Sequence, residues 1–533
     1  MFSNNLKFTL LVTIGMLMPD LYLGLFKNVI SAGIPLSNLI SIATFTLLLS
    51  FVKNKKLLWG LFALFAFMQL IQLNHWVYFG APIHSQDIGK VFFEMDEIFA
   101  TGVSMLSKVV EVWVVLIISL ITIGYALKQQ SNRLKNKIAS ILICLILAVT
   151  PLLSFIKGAG FFYTKPTATS VYNSLRAFSD WAVNSYTSFK GPNYESYKVA
   201  YQKPKTANIV VIMGESQSSR YMQLYGYPAN NTPYLNGLKN DPNFAHCKGV
   251  SSSVYTRTCL QLFFNVIHNP GDVNNLRQKT ANLFAIAKKQ GYHTVVLSAQ
   301  NEKLFHDTGT EFVDLLVFAK QMEKSLKAKG DLALVEKFKE LPLKDRNFIV
   351  LHLRHIHSPF SDYAKFLPDE YKSTKNECNK NVEEYVNAIA YNDFWVKQAV
   401  SAILAKLPKN TVVIFTSDHG ELIGERGLHG HNLMETEVAD VPVWVFDTTA
   451  ESSKWLSAKK ACSHYDLGKH IADLMGASVE NLNESKHEQF VHGSEFYTNY
   501  TYMPWQINVE NIEFMTKRLV SEVKKICLIL LRL

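Results

Sequence analysis

The stretch Thr411-Val-Val-Ile-Phe-Thr-Ser417 runs directly into Asp418-His419-Gly420-Glu421. A continuous run of β-branched and aromatic residues reads as a strand buried on both faces, the kind found in parallel sheets. The Asp and His at its carboxyl end supply hard oxygen and borderline nitrogen donors, a mixture that suits Zn²⁺ and related divalent ions. Taken alone, the tetrapeptide fits an ordinary polar turn equally well. A second strand, Ala207-Asn-Ile-Val-Val-Ile-Met213, ends the same way in Gly214-Glu215-Ser216. Two such endings imply one shared crevice.

Apolar strands at Ile209–Met213, His293–Leu297, Phe348–Leu353, Val412–Phe415 and Val441–Phe446 alternate with longer helical patterns. This alternation predicts a mostly parallel α/β sheet covered by helices. Ligands of open parallel sheets collect beyond the carboxyl ends of the strands, where Glu215, Asn301, His357, Asp418 and His419 all fall. An Asp/His/Glu set without a redox cysteine points to metal-assisted transfer or hydrolysis, so a nucleophile is expected nearby. The candidate stretch is Gly249-Val-Ser-Ser-Ser-Val-Tyr-Thr-Arg-Thr-Cys259. Its hydroxyls suit a metal-activated nucleophile, a helix cap, or both, because a helix N-terminus also receives phosphate. Two histidine clusters, His352/His355/His357 and His429/His431, add phosphate contacts or a second metal site. Spacing of two along a strand predicts that His355 and His357 share a face.

The chain has 533 residues, which favours two domains. Five apolar stretches, Phe8–Phe26, Leu36–Val52, Leu57–Leu73, Val109–Leu127 and Ile138–Ile156, are each long enough to read as a membrane-spanning helix. Lys53, Lys55 and Lys56, then Lys128, Arg133, Lys135 and Lys137, place two loops in the cytoplasm, and an odd number of spans exports everything after Ile156. The expected organisation is a transmembrane domain over 1–156, an interfacial linker over 157–204 carrying Phe161-Phe162-Tyr163, Trp181 and Tyr186, an exported catalytic domain over 205–510, and a tail over 511–533. The tail's apolar run is too short to span and carries no expected function. The segment Asn74–Lys108, with Asp87, Glu94, Asp96 and Glu97, faces the exported side as a lipid entry or a solvated surface. The formal charge of +10 divides evenly between residues 1–156 and the remainder, with no basic block of the kind that binds nucleic acid. Of six cysteines, Cys247 and Cys259 are a candidate local pair, and the absence of a CxxC argues against a cysteine zinc site.

The five apolar stretches, Gly214-Glu-Ser-Gln-Ser-Ser-Arg-Tyr-Met-Gln-Leu-Tyr-Gly-Tyr-Pro228 with Asn231-Thr-Pro233, the Thr-bearing loop, His357-Ser-Pro359 and Ser417-Asp-His-Gly-Glu421 together resemble the phosphoethanolamine transferases of Gram-negative envelopes. The resemblance covers nearly the whole chain. It implies an alkaline phosphatase/sulfatase-like catalytic domain in the periplasm, anchored in the bacterial inner membrane by a multi-pass domain. Glu215, Asp418 and His419 would bind Zn²⁺ in one tight site, with room for a second, and Thr256 would be the nucleophile. His357 would contact phosphate, His431 is preferred over His429 for the same task, and Asn301 would contact substrate. The loop lacks the Cys-Gly-Thr-x-Thr pattern of the lipid A branch, so Ser253 and Thr258 stay open beside Thr256.

The implied chemistry takes phosphoethanolamine from phosphatidylethanolamine onto threonine, then onto lipid A or a core sugar of lipopolysaccharide. Confinement of lipid donor and acceptor to a membrane raises their effective concentration. Three other readings fit parts of the chain. A sulfatase-like hydrolase would match Ser253-Val-Tyr-Thr-Arg257 except that Tyr255 replaces the expected Pro. A glycerophosphate transferase would share the spans and the threonine, and a membrane scaffold or sensor would keep the fold without the chemistry.

Overall fold

The computed structural model describes residues 2–26, 36–52, 54–85, 87–89, 106–129, 137–157, 168–184, 192–371, 380–484, 488–493, 502–507 and 512–514. The chain divides into two compact units, Met1–Phe189 together with Gly424–Gly430, and Lys190–Ile423 together with His431–Leu533.

In the first unit, helices α1 (Phe2–Phe26), α2 (Leu36–Ser50), α3 (Lys55–Phe79), α4 (Leu106–Gln129) and α5 (Lys137–Lys157) carry the five apolar stretches. Among the described residues, three segments are long and apolar enough to cross a membrane: Asn5–Leu25, Lys55–Phe79 and Val110–Gln129. Asn38–Ser50 and Ile138–Leu153 are shorter apolar helices. Phe8, Val12, Ile42, Phe65, Ile123 and Ile143 pack together, while Leu10, Trp59, Ile117, Ile121 and Leu145 remain exposed, the distribution expected of helices with an apolar solvent outside. Asp20, a lone carboxylate in the first apolar run, is buried and accepts hydrogen bonds from the Ser170 backbone N–H at 2.7 Å and Ser170 Oγ at 2.9 Å. It thereby caps the start of α6 (Ser170–Asn184), taking one of the donors a helix leaves unpaired. Helix α6 lies in the expected linker; Ala177 packs with Ile83 and Ile88, with Trp181 against them. Phe161–Tyr163, Tyr186, the loop cations Lys53, Arg133 and Lys135, the acids Glu94, Asp96 and Glu97, Cys378, and the tail beyond Phe514 with Cys527 lie outside the described residues.

The second unit is built on an eight-stranded sheet: β1 (Asn208–Gly214), β2 (Phe244–Val250), β3 (His293–Ser298), β4 (Leu315–Val317), β5 (Asn347–His352), β6 (Thr411–Ser417), β7 (Asp440–Asp447) and β8 (Ala461–Ser463), in the order β8-β2-β7-β6-β1-β5-β3-β4. Every residue of β1 and β6 is buried, which is why both read as unbroken apolar runs. They are parallel neighbours, with Gly214 opposite Ser417, so Glu215 and Asp418 emerge side by side. The expected parallel arrangement holds from β6 through β4. It fails at Val441–Phe446, because β7 runs antiparallel to both β6 and β2. A buried apolar run has the same composition in either direction, so its sequence does not encode which way it points. Helices α7 (Thr256–Phe264), α8 (Lys380–Lys406) and α9 (His464–Leu474) are among those covering the sheet.

Candidate active site

Beyond the carboxyl ends of β1 and β6, Glu215, Asp418 and His419 are fully buried, with one donor atom from each lying within 4.8 Å of the others. Backbone geometry fixes them. Asp418 Oδ1 accepts the N–H groups of Ser216 at 2.9 Å and of His419 at 2.8 Å, and Asp418 N–H donates to Gly214 O across the strand pair at 3.1 Å. Asp418 Oδ2 is buried and has no hydrogen-bond donor among the described residues; it lies 3.2 Å from His419 Nε2. His419 Nδ1 faces Gly420 O at 2.9 Å, which places the ring proton there and leaves Nε2 its lone pair. That nitrogen lies 3.8 Å from Glu215 Oε1. Burial works to depress the His419 pKa, but the Asp418 and Glu215 charges outweigh it and raise the pKa, so the pocket draws positive charge. Two buried carboxylates, an oxygen without a donor and a directed imidazole nitrogen fit a divalent cation of the zinc type.

Thr256 opens helix α7, and its Oγ1 lies 3.1 Å from His419 Nε2 and 3.5 Å from Glu215 Oε2. Ser253 Oγ instead donates to Gly493 O at 3.0 Å and accepts from Tyr255 N. Of Ser253 and Thr256, Thr256 is thus the hydroxyl that touches both His419 and Glu215, and it does so at a helix N-terminus, where backbone N–H groups and the helix dipole favour an anion.

Among the histidines, His431 Nδ1 bonds Glu421 Oε2 at 2.9 Å, and the His431 ring stacks on His419 with centroids 4.2 Å apart. His357 stands 6.3 Å from His431, ring to ring, and its Nδ1 faces Ser358 O at 2.6 Å. Each of these three rings thus has Nδ1 against a carbonyl or carboxylate. His419, Glu421 and His431 form a second group of metal-type donors. Burial pushes the Glu421 pKa up to about 8, against the opposing pull of His419 and His357.

Three expectations require correction. His355 does not share a face with His357: β5 ends at His352, Ile356 takes φ +79°, and the strand alternation stops. His355 is directed instead to Asp331 Oδ2 at 2.9 Å and Asn392 Oδ1 at 2.7 Å. Asn301 is exposed and caps the next turn through Lys303 N–H at 3.0 Å, so it is not gathered with the others. Its neighbour Gln300, which the sequence reading passed over, is buried and places Nε2 2.7 Å from Glu215 Oε2. Cys247 and Cys259 are both free thiols, and Cys259 Sγ contacts His464 Nδ1 at 3.3 Å.

Supporting this crevice, Tyr385 OH donates to Ser216 O and accepts from Ser218 N–H, and Asn392 Nδ2 donates to Gln217 Oε1. Asp331 Oδ2 accepts from the N–H groups of Arg354 and His355 as well as from the His355 ring. Burial would raise the Asp331 pKa, but these bonds hold it below the usual carboxylate value. Truncation by Asp331→Ala strands buried donors, and breaking such a pair costs about 3–5 kcal/mol, so the thermal midpoint should fall by roughly 5–10 °C. Thermal unfolding of the full-length protein in detergent checks this.

A mostly parallel sheet with an acid/His cluster at its strand ends and a hydroxyl at a helix start defines an α/β domain suited to metal-assisted transfer or hydrolysis. The family model described as sulfatase matches residues 207–477, just over half of the chain, and the chain belongs to that family. It is 26% identical over 281 residues, 48% of each chain, to the Kdo(2)-lipid A phosphoethanolamine 7''-transferase of Escherichia coli K12. It is 29% identical over 278 residues, 46% of each chain, to phosphoethanolamine transferase EptC of Escherichia coli O18:K1:H7. The chain thus spans about half the length of the curated relatives it matches. The integral membrane lipooligosaccharide phosphoethanolamine transferase A (EptA) from Neisseria meningitidis shares its fold, with TM-score 0.59 and 15% identity over 89% of this chain and 96% of that one. Apolar N-terminal helices followed by a sulfatase-family α/β domain are the architecture of this chain.

Proposed function

We propose that this protein is a phosphoethanolamine transferase of the bacterial inner membrane. Five spans anchor it, and its catalytic domain, over 205–510, works in the periplasm. The donor is phosphatidylethanolamine, and the acceptor is lipopolysaccharide, at lipid A or a core sugar. The observation that carries this reading is Thr256 Oγ1 between His419 Nε2 and Glu215 Oε2 at the start of α7. The curated relatives, both named as phosphoethanolamine transferases, supply the group transferred.

Glu215, Asp418, His419 and Thr256 would hold Zn²⁺, which when bound lowers the pKa of a coordinated hydroxyl and offsets charge on the phosphoryl group. Thr256 Oγ forms the new bond to phosphorus as the bond to the diacylglycerol oxygen breaks. The N–H groups opening α7 receive the phosphoryl oxygens, and His357 and His431 balance the charge that spreads over them in the transition state. Glu421 holds the His431 ring in orientation. Attack by the acceptor then releases Thr256. A single nucleophile serving both halves splits a difficult transfer into two easier steps.

The test is to incubate the full-length protein with lipopolysaccharide and zinc and, in parallel, with headgroup-labelled phosphatidylethanolamine, headgroup-labelled phosphatidylglycerol or a sulfate ester. Label on the lipopolysaccharide is expected in the phosphatidylethanolamine arm. Transfer of glycerophosphate from phosphatidylglycerol instead, or sulfate-ester hydrolysis without headgroup transfer, would refute the reading.

A further inference from the structure

Resting on the metal reading above, we infer that Gln300 is a positioning residue: its side-chain amide locks the Glu215 carboxylate in the orientation that receives the cation, and so sets metal affinity. Gln300 follows β3 by two residues, and in the sheet order β1-β5-β3 its side chain reaches past the end of β5 to the end of β1. Strands lie about 4.8 Å apart, so this is a connection across two strand spacings.

The amide has one consistent orientation. Gln300 Nε2 lies 2.7 Å from Glu215 Oε2 and 2.7 Å from Leu353 O, both acceptors, which use its two protons. Reversing the amide would set its oxygen against a carboxylate and a carbonyl. His352 Nε2 lies 3.2 Å from the same nitrogen, and the Gln300 backbone N–H donates to Ser298 Oγ at 3.1 Å, so both ends of the residue are tied. The other Glu215 oxygen, Oε1, accepts from Ser216 Oγ at 2.8 Å and is the one that faces His419 Nε2. With each oxygen held by its own donor, the carboxylate plane cannot rotate. Groups that orient a metal ligand from behind typically change affinity by about 10- to 100-fold when removed.

Two variants of the full-length protein test this. Gln300→Met keeps length but has no N–H, and Gln300→Asn keeps the amide but is one methylene too short to reach. Zinc affinity is measured by chelator competition, the ligand field by visible absorption of the cobalt-loaded protein, and the scaffold by thermal unfolding of the metal-free protein. The expected result is zinc binding weakened about 10- to 100-fold in both variants, a shifted cobalt spectrum, and a metal-free midpoint lowered only by the few degrees that losing these buried hydrogen bonds costs. Unchanged affinity and spectrum in Gln300→Met would overturn the inference, and so would a loss confined to metal-free stability. Glu215→Gln separates the two levels of the claim. Zinc lost there but retained in Gln300→Met sinks the positioning role alone, whereas a wild type that takes up no zinc overturns the metal reading and the inference with it.

Discussion

Thr256→Ala abolishes headgroup transfer, with an expected fall of roughly 10⁴-fold or more, because loss of the nucleophile in covalent catalysis leaves only binding and charge stabilisation. The size of the effect follows from where the hydroxyl sits. Thr256 Oγ1 touches His419 Nε2 and Glu215 Oε2, and it lies at the start of α7, where helix N–H groups favour an anion. Folding should change little, since the substitution removes one hydroxyl and one methyl at the first turn of a nine-residue helix. Thr256→Ser retains the oxygen and should retain measurable transfer. Ser253→Ala removes a bond to Gly493 O and should cost stability more than chemistry. Transfer rates for the three variants, compared with thermal midpoints, check the assignment. Comparable losses in Ser253→Ala and Thr256→Ala would contradict it.

The second large effect concerns the cation. Glu215 and Asp418 are carboxylates with no solvent exposure, and Asp418 Oδ2 has no hydrogen-bond donor among the described residues. Buried charge of this kind is costly unless something positive offsets it. Chelation should therefore remove activity and also lower the thermal midpoint, while adding back zinc at about a thousandfold over its dissociation constant should return about 4 kcal/mol. Asp418→Asn keeps the shape but halves the local negative charge. It should bind zinc at least about 10²-fold more weakly, lose transfer, and show no zinc-dependent rise in midpoint. Metal content and thermal unfolding with and without chelator check both statements. Full transfer by protein shown to be metal-free would contradict them.

Much of this was legible in the chain because two fully buried strands switch abruptly to polar residues. Ile209–Met213 and Val412–Phe415 need no periodicity to be recognised, and whatever follows them must lie at the sheet edge, so Glu215, Asp418 and His419 come together as expected. Strands β2 and β8 were less legible. Phe244–Val250 mixes His246, Cys247 and Lys248 into its run, and Ala461–Ser463 is only three residues long. Residues beyond strand ends were harder still. Period two assigns faces only while the backbone stays extended, and the chain leaves that conformation after His352, which sends His355 to Asp331. Gln300 and Asn301 differ by one position in a loop whose path no pattern encodes, yet only Gln300 reaches Glu215 among the contacts made by the pair. His431 lies beside the acid/His group through its bond to Glu421 and its stacking on His419, contacts that sequence spacing alone does not give.

A phosphoethanolamine group carried on Thr256 is directly observable. The full-length protein, loaded with zinc and given headgroup-labelled phosphatidylethanolamine without acceptor, should yield a peptide bearing phosphoethanolamine on Thr256 by mass spectrometry, and that adduct should disappear when lipopolysaccharide is added. An unmodified Thr256 in folded, zinc-loaded protein that still transfers the headgroup, or an adduct on a different residue, would contradict the account.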